Sequence, residues 1–164
     1  MSFLRALVVL ASALVLQAGV GHLWPASHRF IDVLLVPVAL YGLNGSQRSA
    51  MLMGCASGLL RDTWFQTGAF GLNGFKRTLL GWAMGSLARR VDMNRGPGRL
   101  VAGVVVSFGD DLLDLVLRRL LDQPVQFPYL WELLVKAGVT GLLVTLAGAI
   151  VDRVTNRRPG RRIV

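Results

Sequence analysis

An all-α bundle of about six membrane-spanning helices is the fold class this sequence predicts. Three observations predict it. Hydrophobic residues make up 53% of the 164 and charged residues 16%, with a mean hydropathy of +0.53, whereas soluble domains carry about a quarter charged residues. Apolar runs alternate with short links rich in Pro, Gly and Arg. The basic residues are concentrated in every second link. A soluble fold this small buries a modest share of its surface and has no room for so much apolar side chain. Lipid covers apolar faces and removes the difficulty. The sequence predicts one transmembrane domain, residues 1–152, and a basic cytoplasmic tail, residues 153–164.

The first span is residues 3–21. It resembles a signal peptide in its early Arg5 and apolar run, but Ala18-Gly19-Val20-Gly21 is a poor cleavage site and the following segments are just as apolar. It is therefore expected to stay uncleaved, starting on the cytoplasmic side. His22 to Asp32, with Trp24, Pro25 and two histidines, reads as an interfacial turn. The second span, 31–43, is short, and Pro37 is expected to kink it. Asn44-Gly45-Ser46 is a turn, and the third span is 47–65. The fourth, 68–87, carries Lys76 and Arg77 at its middle. Ala88 to Arg99, ending Gly96-Pro97-Gly98-Arg99, reads as a loop. The fifth span, 100–117, opens apolar and turns acidic. Arg118 to Pro128 reads as a link with room for a short interfacial helix, and the sixth span is 129–151.

The net charge of +9 would suggest nucleic acid in a soluble protein. Here the arrangement of charge is better explained by orientation, and no nucleic-acid partner is expected. Six spans put both termini inside. Arg5, Arg48, Arg89, Arg90, Arg95, Arg99 and the tail arginines then lie near the cytoplasmic side. The outer ends receive Arg29, Arg61, Arg118 and Arg119. That bias is the one the positive-inside rule requires.

Charged residues inside spans are costly, so they face an interior or a cavity. Asp110 and Asp114 lie four apart on one helical face, which Arg118 continues, and Asp111 is three from Asp114. Three readings are open for this cluster: a structural network with Arg118, Arg77 or Lys76, a partner or small-ligand site, and a hard-cation site. The cation site would need oxygen ligands from other helices. At least one of Lys76 and Arg77 is expected to pair with Asp62 or with the acids of the fifth span, with snorkelling as the alternative. Small residues recur at helical spacing: Ala50, Gly54 and Gly58; Gly74, Thr78, Gly81 and Gly85; Gly141, Thr145 and Gly148. Such stripes let helices approach closely, either within the bundle or against a partner helix. The lone Cys55 builds no disulfide or metal site, and His22 and His28 lack nearby co-ligands. No catalytic motif or cofactor fingerprint is present, so no enzymatic activity and no cofactor are expected.

The stretch Gly58-Leu59-Leu60-Arg61-Asp62, followed by Gly68, Gly71 and Leu72, resembles the rod shape-determining MreD family, whose pattern is Gly-Leu-Leu-x-Asp before a glycine-containing helix start. Chain length, Gln17 at the close of the first span, Asp32 at the opening of the second and the basic tail add to the likeness. The resemblance implies a multi-pass protein of the bacterial inner membrane. Its role would be a non-enzymatic scaffold or regulator of lateral peptidoglycan synthesis within the rod complex, or elongasome. MreC would be its main partner, with RodA, the elongation-specific penicillin-binding protein and, indirectly, the MreB filament. Asp62 and its glycines would be the family positions, either structural at the outer end of the third span or in contact with MreC. The resemblance also implies a bundle similar to the substrate-binding subunits of energy-coupling-factor transporters. This keeps a second function in view, a small-molecule-binding transporter subunit using groups such as Lys76, Asp110 and Asp114.

Overall fold

Six helices form in the order α1 (Phe3–Leu23), α2 (Leu35–Asn44), α3 (Gln47–Phe65), α4 (Leu72–Leu87), α5 (Gly96–Leu120) and α6 (Leu130–Val154), in a computed structural model that describes residues 3–23, 30–44, 46–65, 70–90, 96–122 and 130–154. No strand occurs among the described residues. Two helices contain stretches long and apolar enough to cross a membrane, Ala6–Leu23 and Leu130–Val154. The third and fifth have the length, at about 1.5 Å per residue, but their sequences carry several charges.

Glycine sets how the helices pair. The third and fourth lie against each other so closely that a Cβ at Gly58 would overlap the Asn73 carbonyl. One at Gly54 would overlap the Arg77 carbonyl, and one at Gly81 the Ala50 carbonyl. Gly103 meets Gly141 in the same way between α5 and α6, where a Cβ on the former would lie 2.6 Å from the Cα of the latter. The short second helix sits between these two hairpins. Leu34, Leu35, Val38 and Ala39 are fully buried, and the apolar core joins Leu35, Leu40 and Leu43 to Leu80, Met84, Ala102, Val106 and Val144. The first helix is peripheral. Ala13 and Gln17 are its buried side chains among those described.

Several boundaries differ from the sequence expectation. The second helix begins at Leu35 rather than residue 31, after turns in which Leu35 and Val36 donate to the carbonyls of Asp32 and Val33. Pro37 therefore falls in the first turn, where a backbone N–H has no intrahelical partner to lose, and the expected kink has no cause. The fourth helix starts at Leu72, not at residue 68, because Gly71 takes the left-handed conformation (φ 89°) that ends the preceding turn. Gly96-Pro97-Gly98-Arg99, expected as loop, is the first turn of α5, a place that suits proline. Arg118 and Arg119, expected in a link, form the last turn of α5, where cations meet the negative end of the helix dipole. Asp152 to Val154 belong to α6 rather than to a joint with the tail. Gly68, the turn residues 24–29, the links at 91–95 and 123–129 and the tail at 155–164 lie outside the described residues.

Beside its apolar core the bundle also buries charges, while large apolar side chains lie on its outside. Arg77 and Asp110 are 0% and 1% exposed, while Leu16, Leu52, Trp82, Leu112, Leu142 and Ile150 are each more than half exposed. Lysine, arginine and aspartate are almost never fully buried unless paired, so the interior charges must find one another.

Candidate functional site

Those charges form one connected layer across α2 to α6. Asp32, at the entry to α2, receives the guanidinium groups of Arg61 from α3 and Arg77 from α4. Arg77 reaches on to α5, with its Nε 3.7 Å from Asp110 Oδ1. Lys76, its neighbour in sequence, donates to Asp110 at 3.2 Å and to Asp114 at 2.9 Å. Arg118 closes the α5 face by donating to Asp114 at 2.7 Å. From α6, Lys136 pairs with Asp111 and lies 3.9 Å from Asp110. Four aspartates thus meet five basic side chains in ion pairs, and Asp62, which attracts Arg77 electrostatically without a direct ion pair, brings the acids to five. The layer is electrically balanced. Without such pairing, the cost of burying any one of these charges would be several kcal/mol.

The local helix positions explain the convergence. Lys76 and Arg77 differ by about 100° around α4, so one head meets α5 while the other also reaches the start of α2. Asp110, Asp111 and Asp114 likewise divide between two faces of α5, toward α4 and toward α6. Asp32 is held by a clamp from α1. The buried Gln17 amide donates to the Ile31 carbonyl at 3.1 Å and accepts from the Val33 N–H at 2.6 Å. The two backbone groups flanking Asp32 are thereby fixed, which holds the residue at the layer.

Asp62 also makes a joint at the edge of the layer. Its Oδ2 accepts the N–H of Gly71 at 2.9 Å and of Gly74 at 3.4 Å, and its Oδ1 accepts from Asn73 Nδ2 at 2.6 Å. These backbone donors are the N-cap and third-residue N–H groups of α4, which the helix cannot satisfy itself. A side chain from the preceding helix here does what a capping residue ordinarily does within one helix. Asp62→Ala is expected to lower stability by about 2 kcal/mol, the scale for losing hydrogen bonds to a charged acceptor and exposing orphan donors, with Asp62→Asn intermediate. Thermal melting of the purified variants checks this; equal melting points for Ala, Asn and parent would remove the cap.

The structure therefore joins most of the residues singled out in the sequence. Lys76, Arg77, Asp110, Asp111, Asp114 and Arg118 share the charge layer, and Asp62 and Gly71 share the cap. Gly58 packs under that cap against Asn73, and Leu59 covers Gly74, whose Cβ would lie 3.1 Å from the leucine side chain. Gly54 belongs to the same α3–α4 seam. The α3 stripe thus faces inward and is not free to receive a partner helix. Each acid of the α5 cluster faces a base, and among the described residues no group of three or more possible ligands could hold a metal ion. His22 is exposed, and His28 lies outside the described residues. Sequence reasoning missed Gln17 as a clamp, Asp32 as a hub, and Lys136 and Arg61 as members of the layer. A signal for Lys136 was present: both lysines of the chain sit in apolar runs.

At the end of the α5–α6 hairpin away from the layer, an ion pair joins the buried Arg99 to the partly exposed Asp152. Arg99 reaches Asp152 at 2.7 Å, lying over Gly148, where a Cβ would meet its guanidinium.

No known protein-family model matches the chain, and neither curated proteins nor solved structures provide a match.

Proposed function

We propose that this chain is a six-span, non-enzymatic scaffold of the bacterial inner membrane, similar to the MreD family, which joins MreC to the wall synthases of the rod complex. The observation that carries the proposal is the place of the Gly-Leu-Leu-Arg-Asp stretch. Asp62 caps α4 through Gly71 and Asn73 while Gly58 lets the two helices touch. The residues of the resemblance thus act together as one rigid corner, which is what a structural motif should do. The balanced charge layer supports the same reading. Its acids and bases are turned toward one another, which rigidifies a bundle but leaves no acid poised beside a reacting group.

Six spans are supported by the apolar outer faces and the buried charges. The third and fifth helices carry several charges and the fourth has 16 residues, yet the charges of the layer lie inside and the outer faces carry Leu52, Phe75, Trp82, Val101 and Leu112. Paired charges on the inside and leucine on the outside are compatible with lipid. The second helix is too short to cross alone, at about 15 Å for its 10 residues, and would be sheltered within the bundle.

Affinity purification of the tagged chain from native membranes tests the function. Co-recovery of an MreC-like coiled-coil protein, with or without RodA and its penicillin-binding partner, is the expected result. Recovery of a nucleotide-driven transporter module in its place would replace the scaffold with the transporter-subunit reading.

A further inference from the structure

We infer that the interface of α5 and α6 with the charge layer is a buried hydration site, in which one or more water molecules join Ser107 and Thr140 to Arg77 and Asp110. The first observation is a contrast among hydroxyl groups. In an apolar helix a serine or threonine normally bonds to a carbonyl of its own preceding turn. Ser12, Ser57, Thr63, Thr78, Ser86 and Thr145 all do so here. Ser107 and Thr140 do not. Both are fully buried, and neither hydroxyl has a hydrogen-bond partner.

The second observation is register. Gly103 meets Gly141 and the Thr140 carbonyl, and Lys136 meets Asp110 and Asp111. Ser107 and Thr140 both fall between these two contacts, within about a turn of each other on facing helices. The third is the state of the adjacent charges. Arg77 Nε and Asp110 Oδ1, 3.7 Å apart, are also buried without a hydrogen bond, as is Arg77 Nη1. The pair is just too long for a direct hydrogen bond, and a water lying beside it can bond to both atoms.

The chemistry of these groups selects the occupant. Arg77 supplies donors, Asp110 an acceptor, and the hydroxyls either. Water, which donates and accepts, can serve all of them, and buried waters ordinarily make about three such bonds. An ion is disfavoured because the acids and bases of the layer already balance. The site does not depend on which partner the chain binds.

The sign of a mutational effect tests it. If Ser107 and Thr140 were unbonded, Ser107→Ala and Thr140→Val would remove a buried polar group with nothing lost, and the melting temperature would hold or rise. With water in place, each is expected to lower the melting temperature by about 2 °C or more, and the double variant to lose less than the sum of the two. The direct readout is water-edited solid-state NMR of the chain in lipid bilayers. Transfer of magnetisation from water to the Ser107 and Thr140 side chains is expected at short mixing times. Melting temperatures unchanged or raised in both variants, or no transfer to either side chain, would overturn the site.

Discussion

Replacing Arg77 with alanine is expected to cost about 3–5 kcal/mol, the scale for breaking a buried ion pair by removing one partner. The guanidinium is fully buried and touches Asp32 at the entry to α2 while reaching Asp110 on α5. Without it, Asp32 keeps Arg61 and Asp110 keeps Lys76, but the layer gains a net negative charge in a medium where charge is poorly solvated. Asp32→Asn in the Arg77→Ala background restores the balance, so the double variant should recover part of the loss. The cycle is read as melting temperature and as the yield of folded protein. A parent-like melting point for Arg77→Ala would mean that the layer is solvated and does not hold the bundle. Simple additivity in the cycle would mean that Asp32 and Arg77 act independently, against their direct contact. Lys76→Ala is a weaker version, since Arg118 still holds Asp114 and Arg77 still faces Asp110.

Gly58→Leu should be comparably severe, at about 3 kcal/mol or more. Even the first carbon of the new side chain would overlap the Asn73 carbonyl and crowd the Gly74 nitrogen. Backbone atoms cannot rotate away as a side-chain tip can, so α3 and α4 must separate. Separation would spread to Gly54 and Gly81, which rest on the opposing backbone further along the same seam, and would pull Asp62 off the α4 cap. Gly58→Ala should show the same effect at smaller size. Gly138→Ala is the control: a Cβ there meets nothing within 4 Å, and alanine favours the helix by up to about 1 kcal/mol. The measurement is thermal stability of each variant, with partner recovery compared at equal folded protein. Retained stability in Gly58→Leu alongside lost partner recovery would reverse the assignment, making the stripe a docking surface after all.

How much of this was legible from sequence depends on the range of the signal. The apolar runs, the polar turns between them and the unusual charges within them are local, and they located all six helices to within a few residues over most of their length. Lys76 and Arg77 could be expected to seek the acids of α5 because a charge in an apolar run must be neutralised somewhere, and the chain offers few acids. The boundaries that moved did so for local reasons as well: a left-handed glycine at 71, and proline in the first turns of α2 and α5.

By itself the sequence determined the all-helical class, the periodicity that puts Asp110 and Asp114 on one face, and the need for interior charge pairing. Each follows from composition and from the pitch of a helix. Only the tertiary structure decided which charge meets which. Asp32 as the meeting point of Arg61 and Arg77, Lys136 against Asp111, and Gln17 as the clamp of Asp32 each join residues from different helices. It also decided that the glycines of α3 face α4. A stripe of small residues has the same pattern whichever neighbour it serves, and the rotation of a helix about its axis is set by packing, which no single helix encodes.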